Sequence, residues 1–373
     1  MGLANIRHLG VKELRGLLRD PMMLFLIVYA FTFAVYSGAT AMPETLHKAP
    51  IAIVDEDHSP LSRRIADAFY LPRFLPPILI DQTRMDARMD AGLDTFALNI
   101  PPNFQRDLLS GRAATVQLNV DATRMSQAFT GNGYIQFIIN DAVNAFLRGY
   151  QASTLPPVEL ALRARFNPEL NKTWFGAVMK VIDNVTMLSI ILTGAALLRE
   201  REHGTVEHLL VMPVTPFEIM AAKIWSMALV VLLATAASLI LVVEGLLQVP
   251  IEGSILLFLL GTGLHLFATT SLGIFLGTLA RSMPQFGLLM MLFLLPLQIL
   301  SGGTTPRESM PDFVQYLMMS APNTHFVMLA QAILYRGAGL SVVWPQFVAL
   351  ALIGTVLFFL SLARFRKTLG TMA

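Results

Sequence analysis

Residues 253–280 read GSILLFLLGTGLHLFATTSLGIFLGTLA and contain no Asp, Glu, Lys or Arg. An α-helix needs about 20 predominantly apolar residues to cross the hydrocarbon core of a bilayer. This stretch is longer than that, and Arg281 follows directly after it. It therefore predicts a transmembrane helix and places the chain among integral membrane proteins.

Further stretches of the chain repeat this pattern. Four more uncharged runs are long enough to span a bilayer, namely 21–40 and just beyond, 224–243, 282–306 and 337–363. The chain is 54% apolar and only 14% charged, whereas soluble chains carry roughly 25% charge. We assign the first span to 21–42 and the others to 173–373. Ala39-Thr40-Ala41 resembles a signal-peptide cleavage site, but the long apolar run favours a retained anchor.

A sixth run, 174–198, qualifies only if the bilayer tolerates Lys180 and Asp183. The two residues are spaced i, i+3, so they can pair on one helix face. His265 also lies in the middle of a span. Ionisable groups inside a membrane are candidate functional residues, although a neutral histidine bonded between helices also fits. We predict a mainly α, polytopic protein with six transmembrane helices, and Lys180, Asp183 and His265 as its candidate intramembrane polar site.

Lys and Arg in the short loops predict the orientation, because cytoplasmic loops are enriched in them. One side of the membrane holds Arg7, Lys12, Arg15, Arg19, Arg199, Arg201, Lys223, Arg281, Arg364, Arg366 and Lys367. The other side holds only Arg307 and Arg336 in its short loops. We therefore predict cytoplasmic N and C termini, with segment 43–172 outside the cytoplasm.

Segment 1–20 predicts a helix that lies at the membrane surface. At 100° per residue, one face carries Leu3, Ile6, Gly10, Leu14 and Leu17, and the opposite face carries His8, Lys12, Arg15 and Arg19. Such a helix lies in the headgroup plane and contacts lipid. The alternative is a basic flank that only fixes topology.

Segment 43–172 predicts a small extracytoplasmic α/β domain inserted between the first two spans. It carries 27 of the 52 charged residues. β-branched and apolar runs at 50–55, 95–100 and 115–121 predict strands. The intervening patterns predict helices at 61–70, 103–109 and about 126–150, the first capped by Ser59 before Pro60.

The sequence carries no recognisable catalytic or metal site. The chain has no Cys and no P-loop motif. His203, Glu207 and His208 do not follow either zinc-protease spacing. A net charge of +2 gives no basic excess for nucleic acid. We therefore expect no enzyme activity, cofactor, metal or nucleic-acid partner from this chain itself.

The paired glycines at Gly302 and Gly303 follow an uncharged run and precede Pro306 and Pro311. They predict a broken or re-entrant turn over 302–325, because irregular backbone is tolerated at membrane depth when it is buried in protein. The stretch Leu300-Ser-Gly-Gly imitates an ATPase signature, but the rest of a nucleotide site is missing.

The cytoplasmic connector 199–223 is heavily structured for a loop. Thr205 can cap a short helix that Pro213 ends. Thr215-Pro216-Phe217-Glu218 predicts a capping box that opens the next helix. Its carboxylates, Glu200, Glu202, Glu207 and Glu218, can pair with basic groups on a partner. The alternative is an ordinary interfacial connector.

Here the sequence resembles the ABC-2-type exporter permeases, in particular bacterial inner-membrane ones. The resemblance in the connector rests on Glu200, Glu202, Gly204, Thr205, Glu207, Leu209, Pro213, Pro216 and Lys223. It continues in the ordered motifs Asp55–Ser62, Ile100–Phe104 with Gly111, Ala280–Ser282, and Leu300–Gly303 with Met310-Pro311. It covers nearly the whole chain.

The resemblance implies the membrane subunit of an ATP-driven exporter in the bacterial inner membrane. A second copy of this chain and a separate cytoplasmic ABC ATPase, which holds ATP and Mg, are the implied partners. Some relatives also use a periplasmic adaptor. The matching connector residues, Glu200, Glu202, Gly204, Thr205, Glu207, Leu209, Pro213 and Pro216, are then the expected ATPase-coupling site.

Glycines on the spans also led us to expect a homodimer, because Gly261, Gly263, Gly273 and Gly277 allow helices to approach closely. The alternative function is a membrane-anchored receptor or scaffold, whose external domain binds a ligand or partner without transport. The sequence assigns no substrate class.

Overall fold

The computed structural model describes residues 2–40, 46, 48–121, 125–150, 172–202, 214–305 and 307–370. The chain divides into two compact units, one formed by 1–42 with 164–373 and the other by 43–163. The first unit is helical and the second combines helices with a sheet.

Helices form nearly all of the first unit. They are α1 (Gly2–Leu18), α2 (Pro21–Phe31), α3 (Phe33–Thr40), α8 (Lys172–Glu202), α9 (Pro216–Ala237), α10 (Ile255–Leu279), α11 (Met283–Ile299), α12 (Asp312–Met318), α13 (Pro322–Ala330) and α14 (Leu340–Gly370). π-helical turns extend α9 over Ser238–Leu246 and α13 over Gln331–Tyr335, and a 3₁₀ turn covers Arg307–Ser309. The labels α4 to α7 belong to the second unit.

Five helices in the described residues are long and apolar enough to cross a membrane: Pro21–Thr40, Thr173–Glu202, Pro216–Leu246, Ile255–Leu279 and Leu340–Thr368. Five of the predicted spans are thereby confirmed as helices. The remaining predicted span, 282–306, is shortened to α11, which has 17 residues. Gly302 has a φ of +93°, a left-handed conformation that favours glycine and that a helix cannot continue through. The six-span topology stays a prediction.

α8 is the central helix of the bundle. Protein covers 83% of its most apolar stretch, against 28% for Pro21–Thr40 and for Leu340–Thr368. Because protein surrounds most of α8, its polar residues are largely shielded from lipid. Lys180 and Asp183 are both half-buried on this helix.

α8 and α10 approach closely at two glycines of α10. A Cβ atom added to Gly273 would lie 2.2 Å from Thr193 Oγ1 and 2.7 Å from the carbonyl oxygen of Ile190. Gly277 also faces α8, but less closely, since a Cβ atom there would lie 3.2 Å from Leu197 Cδ2 and 3.4 Å from the carbonyl oxygen of Gly194. These glycines therefore serve packing within one chain, and they do not carry the argument for a homodimer that the sequence offered.

After α11 the chain turns back into the bundle. α13 is almost wholly buried, and it contacts α8, α10 and α14. Asn323, near its start, donates from Nδ2 to the carbonyl oxygen of Leu297 at 2.7 Å. This bond joins the start of α13 to the last turn of α11. The two ends of the intervening segment are therefore held close together.

The second unit contains a four-stranded sheet. Its elements are β1 (Ile51–Asp55), α4 (Pro60–Asp67), β2 (Ile78–Leu79), α5 (Gln82–Asp90), β3 (Phe96–Ile100), α6 (Phe104–Leu109), β4 (Gln117–Val120) and α7 (Met125–Tyr150). The strand order is β2-β1-β3-β4. β1 runs parallel to β2 and β3, and β4 runs antiparallel to β3.

The elements of this second unit follow the sequence closely. β1, β3 and β4 match the three predicted strands, and Ser59 is the predicted N-cap of α4, where it also forms a capping box with Ser62. β2 was missed, since it has only two residues and both are exposed. The central strands β1 and β3 are buried, and Phe69, Phe74 and Phe96 pack in the adjoining core.

Candidate functional site

α1 packs on α9 through a glycine and a tryptophan. A Cβ atom at Gly10 would lie 2.2 Å from Trp225 Cζ2, so only glycine admits the indole ring at this distance. The indole Nε1 donates to the carbonyl oxygen of Ile6 at 3.2 Å. The apolar face predicted for segment 1–20 therefore covers a helix of the same chain at this point.

Lys223 of α9 lies at the centre of an ionic cluster and is only 2% exposed. Its Nζ is 3.0 Å from Glu13 Oε1 on α1 and 2.8 Å from Glu200 Oε2 on α8. Lys12 Nζ lies 3.5 Å from the other oxygen of Glu200. A buried ammonium is tolerated only when it is paired, so these contacts fix the relative positions of α1, α8 and α9.

The neighbour of Glu200 ties α8 to the start of the first span. Arg199 Nη1 donates to Asp20 Oδ2. The other oxygen of Asp20 accepts the backbone amides of Met22 and Met23 at 3.1 Å and thereby caps α2. Asp20 thus joins the N-terminus of one helix to the C-terminal turn of another.

The last two residues of α8 hold the junction between α10 and α11. Arg201 Nη1 donates to the carbonyl oxygen of Ala280 at 2.9 Å, just past the end of α10. Glu202 Oε1 accepts the backbone amide of Met283 at 3.1 Å, at the first residue of α11. Both contacts match the partial charges of the helix ends that they meet.

We call this network the charged junction. It consists of Lys12, Glu13, Asp20, Arg199, Glu200, Arg201, Glu202 and Lys223. Segment 203–213 follows α8 directly and leads to Pro216, where α9 begins. Segment 203–213 is therefore joined directly to residues 199–202, which contact α1, α2, α9 and the connection between α10 and α11.

The far end of the segment is also fixed. Thr215 Oγ1 accepts the amide of Glu218 at 3.3 Å, and Glu218 Oε2 accepts the amide of Thr215 at 2.7 Å. This reciprocal pair confirms the predicted capping box. Asn5 Nδ2 of α1 donates to the other carboxylate oxygen of Glu218 at 3.3 Å, so α1 contacts the chain beyond segment 203–213 as well.

The surroundings shift the pKa values of Glu13 and Asp20 in opposite directions. Burial raises the pKa of Glu13 above its ordinary value, and Lys223 opposes that effect only in part. The backbone amide of Met23 lowers the pKa of Asp20, and Arg199 adds to this lowering. The hydrogen bonds and the ion pair of Asp20 therefore stabilise its ionised form.

We expect Asp20→Ala to lower the free energy of unfolding by about 1 kcal/mol at neutral pH, through loss of the helix cap. The stabilisation by ionised Asp20 is complete above the ordinary aspartate pKa and disappears as pH falls through the lowered folded-state pKa. The gap in melting temperature between wild type and Asp20→Ala should shrink over that range. Asp86→Ala, at an exposed site on α5, should show no gap at any pH.

The structure describes three residues of the predicted coupling site, Glu200, Glu202 and Pro216. Gly204, Thr205, Glu207, Leu209 and Pro213 lie outside the described residues. The carboxylates of Glu200, Glu202 and Glu218 all bind groups of this chain. Their contact with an ATPase stays a prediction, and their visible role is to hold both ends of segment 203–213.

Sequence reasoning missed the pairing of Lys223 with Glu13 and Glu200. It used Lys223 only as a marker of orientation and of the connector's end. The sequence feature that could have indicated a buried ion pair is the position of this lysine, seven residues after Pro216 and directly before a long apolar run. Its partners lie 210 and 23 positions away in sequence, so spacing alone could not identify them.

A polar seam lies deep in the bundle and is formed by Thr186, Ser189, His265, Thr269 and Asn323. Thr186 Oγ1 lies 2.9 Å from His265 Nε2 and 2.7 Å from Asn323 Oδ1. Ser189 Oγ donates to Thr269 Oγ1 at 2.7 Å. The seam joins α8, α10 and α13, since hydroxyl groups without water must bond to one another or to backbone.

The other predicted intramembrane residues lie outside this seam. Gly38 of α3 packs against the aliphatic stem of Lys180, and the carbonyl oxygen of Asp183 accepts from Gln298 at 3.4 Å. His265 stacks on Phe326 with ring centroids 4.0 Å apart. The structure therefore does not join the three predicted residues into one site.

The predicted turn residues are only partly visible. A Cβ atom on Gly303 would lie 2.0 Å from Met179 Cε, so this glycine permits close packing against α8. Pro311 caps the start of α12, and Pro306 lies outside the described residues. Within the described ranges, no three His, Asp or Glu residues come together as a metal site could require.

Comparison with known sequences decides the family. The profile described as ABC-2 family transporter protein matches residues 22–363. The chain belongs to the ABC-2 transporter family. It is 65% identical over 371 residues to "Inner membrane transport permease YhhJ" of Escherichia coli (strain K12), covering 100% of this chain and 99% of that relative. The resemblance seen in the motifs is thereby confirmed.

More distant ABC-2 relatives also align over most of the chain. "Probable multidrug ABC transporter permease YbhR" of Escherichia coli (strain K12) is 28% identical and covers 95% of this chain and 96% of itself. "Probable multidrug ABC transporter permease YbhS" of the same organism is 25% identical and covers 89% of each chain. The chain is therefore a permease-type ABC-2 membrane subunit, and it is a multi-pass inner-membrane protein.

Proposed function

We propose that this chain is the permease subunit of an ATP-driven exporter. Two copies work with a separate cytoplasmic ABC ATPase, which binds ATP and Mg, to move a substrate out across the inner membrane. The family implies an ABC ATPase partner, and the charged junction is the observation that carries the proposal.

The charged junction suits the transmission of force from a bound ATPase. Residues 199–202 reach α9, the α1–α2 connection and the α10–α11 connection. A partner that pushes on segment 203–213 would therefore move several helix ends together. Packed helices and buried ion pairs deform little, so such a push is passed on rather than absorbed locally.

The proposal places both termini and segment 203–213 in the cytoplasm. α1 then lies at the inner membrane surface, where its exposed Leu3 and Leu18 contact lipid. The α/β unit then lies on the periplasmic side, where it could receive an adaptor protein. The bias of Lys and Arg between short loops supports this orientation.

One observation favours the alternative function of a ligand receptor. The α/β unit contains a cavity of about 480 Å³ beside α7, whose lining includes Tyr70, Phe137 and Arg73. A cavity of this size is typical of small-molecule sites. A receptor would keep the cavity but would not hold an ATPase, so co-purification separates the two functions.

The test uses Glu207→Ala in the complete chain. If segment 203–213 docks the ATPase through a charge pair, this variant should retain about a tenth of the co-purifying ATPase. Transport should fall in parallel while membrane insertion stays normal. Co-purification is measured by pull-down from solubilised membranes.

Glu159→Ala serves as the matched control, since it removes a carboxylate from the predicted external segment. It should leave both ATPase binding and transport unchanged. Wild-type behaviour of Glu207→Ala, together with wild-type behaviour of Gly204→Val, would show that this segment is only a connector.

A further inference from the structure

A second cavity lies at the end of the bundle remote from the charged junction. Its volume is about 580 Å³, and Phe175 near the start of α8 forms part of its wall. The residues that follow α11, together with the start of α14, form much of the rest. Apolar walls come from Val327 and Val343, and polar groups come from Arg307, Gln331 and Gln346.

Arg307 has only weak partners in this cavity. Its Nη1 lies 3.3 Å from the sulfur of Met328, and its Nη2 lies 3.2 Å from the sulfur of Met319. Its Nε is buried and has no hydrogen-bond acceptor among the described residues. A thioether sulfur is a weak acceptor, whereas a guanidinium carries five N–H donors. The donors of Arg307 are therefore largely unused within the described part of the chain.

Two glutamines of the same cavity are in a similar state. The Oε1 of Gln346 is buried and has no donor among the described residues. The Nε2 of Gln331 lies 3.9 Å from the sulfur of Met179. Buried polar groups are normally hydrogen-bonded, so the buried Nε of Arg307 and the buried Oε1 of Gln346 on one cavity indicate that a ligand completes their bonding, and Gln331 adds a weakly bonded amide.

The charge of the cavity is positive. Arg307 and Arg336 both line it, and Glu308 is the one acidic residue in its lining. Neither arginine forms an ion pair within 4.0 Å in the described part of the chain. A Cβ atom on Gly302 would lie 2.9 Å from Arg307 Cγ, so the bare glycine lets the stem of Arg307 settle against the turn.

We propose that this cavity binds an amphiphile that carries one anionic group, a phosphate or a carboxylate. The Arg307 guanidinium binds the anion, since its planar fork matches two anionic oxygens, and Gln346 binds a neighbouring donor. The apolar body of the ligand lies against Val327, Val343 and Phe175. The source of this chemistry is either an exported molecule or the headgroup of an anionic lipid. Only the exported-molecule source rests on the proposed function, and binding itself can be measured without the ATPase.

The test measures binding of hexyl phosphate to the purified full chain in phosphatidylcholine nanodiscs by isothermal titration calorimetry. Hexyltrimethylammonium has the same alkyl chain and the opposite charge, and it should not bind. Arg307→Gln should weaken hexyl phosphate binding about tenfold or more, since a charge-assisted bond is lost. Arg307→Lys, which keeps the charge, should bind with intermediate affinity.

The matched control is Arg84→Gln, which removes an exposed arginine from α5 and should bind like wild type. Circular dichroism and gel filtration check that each variant is folded. Equal binding of both alkyl probes, or wild-type affinity in folded Arg307→Gln, would overturn the proposal.

Phosphatidylglycerol added to the nanodiscs distinguishes the two sources. If the site holds a lipid headgroup, this lipid should displace hexyl phosphate from wild type. If the site holds a dissolved amphiphile, the affinity for hexyl phosphate should not change. Displacement therefore assigns the site to a lipid headgroup, and unchanged affinity assigns it to a dissolved amphiphile.

Discussion

Lys223→Met should lower the free energy of unfolding by about 3–5 kcal/mol, the usual cost of removing one partner from a buried ion pair. Methionine is unbranched and only one atom shorter than lysine, but it leaves Glu13 and Glu200 facing each other in a buried site. Their repulsion should loosen α1 from α9. Denaturant titration of the solubilised protein measures the loss, and ATP-driven transport should fall with it.

Lys367→Met removes an exposed lysine near the end of α14 and should be neutral. The triple variant with Lys223→Met, Glu13→Gln and Glu200→Gln should regain much of the lost stability, because it removes the uncompensated charges. If the single variant is as stable as wild type, the ionic cluster does not hold the three helices together.

The second large effect is expected from Gly273→Ala, which should lower the free energy of unfolding by about 1–3 kcal/mol through overpacking. The added methyl group would meet Thr193 Oγ1 and the carbonyl oxygen of Ile190 at distances too short for contact. Backbone atoms cannot move aside cheaply, so α8 and α10 must separate. Thermal unfolding by intrinsic fluorescence records the change.

Gly263→Ala is the control within the same helix, because nothing lies within 4 Å of a Cβ atom there. Alanine has the higher helix propensity, so this variant should be as stable as wild type or slightly more stable. Two Gly→Ala changes in one helix should therefore act in opposite directions. A shared loss of stability would point to backbone flexibility as the cause instead of packing.

Local patterns predicted the elements of the fold well. The long uncharged runs became helices, and the capping signals at Ser59 and Thr215 are present as capping boxes. These features depend on residues that are close together in sequence, so local sequence patterns predict them. The exception is the run 282–306, in which the helix ends at Ile299 although hydropathy does not fall, and Gly302 follows in a left-handed conformation.

Contacts across the bundle could not be predicted in the same way. Nothing in the local pattern indicated that the ring of Trp225 packs on Gly10. Gly273 was assigned to contacts between copies, yet it serves contact within the chain. A glycine or a tryptophan in a span indicates that another group can pack closely there. Which group does so depends on the three-dimensional arrangement of the helices. Family membership identified the chain as a permease-type membrane subunit, and the geometry supplied the contacts of the residues that surround segment 203–213.

The ion pairs of the charged junction also impose an order on biosynthesis. Glu13 and Lys223 are 210 positions apart, which a ribosome covers in roughly 10–40 s at ordinary rates of synthesis. During that interval Glu13 has been synthesised but its partner Lys223 has not. The junction therefore closes late, when α9 arrives, and until then Glu13 lacks the ammonium group that it contacts in the folded chain.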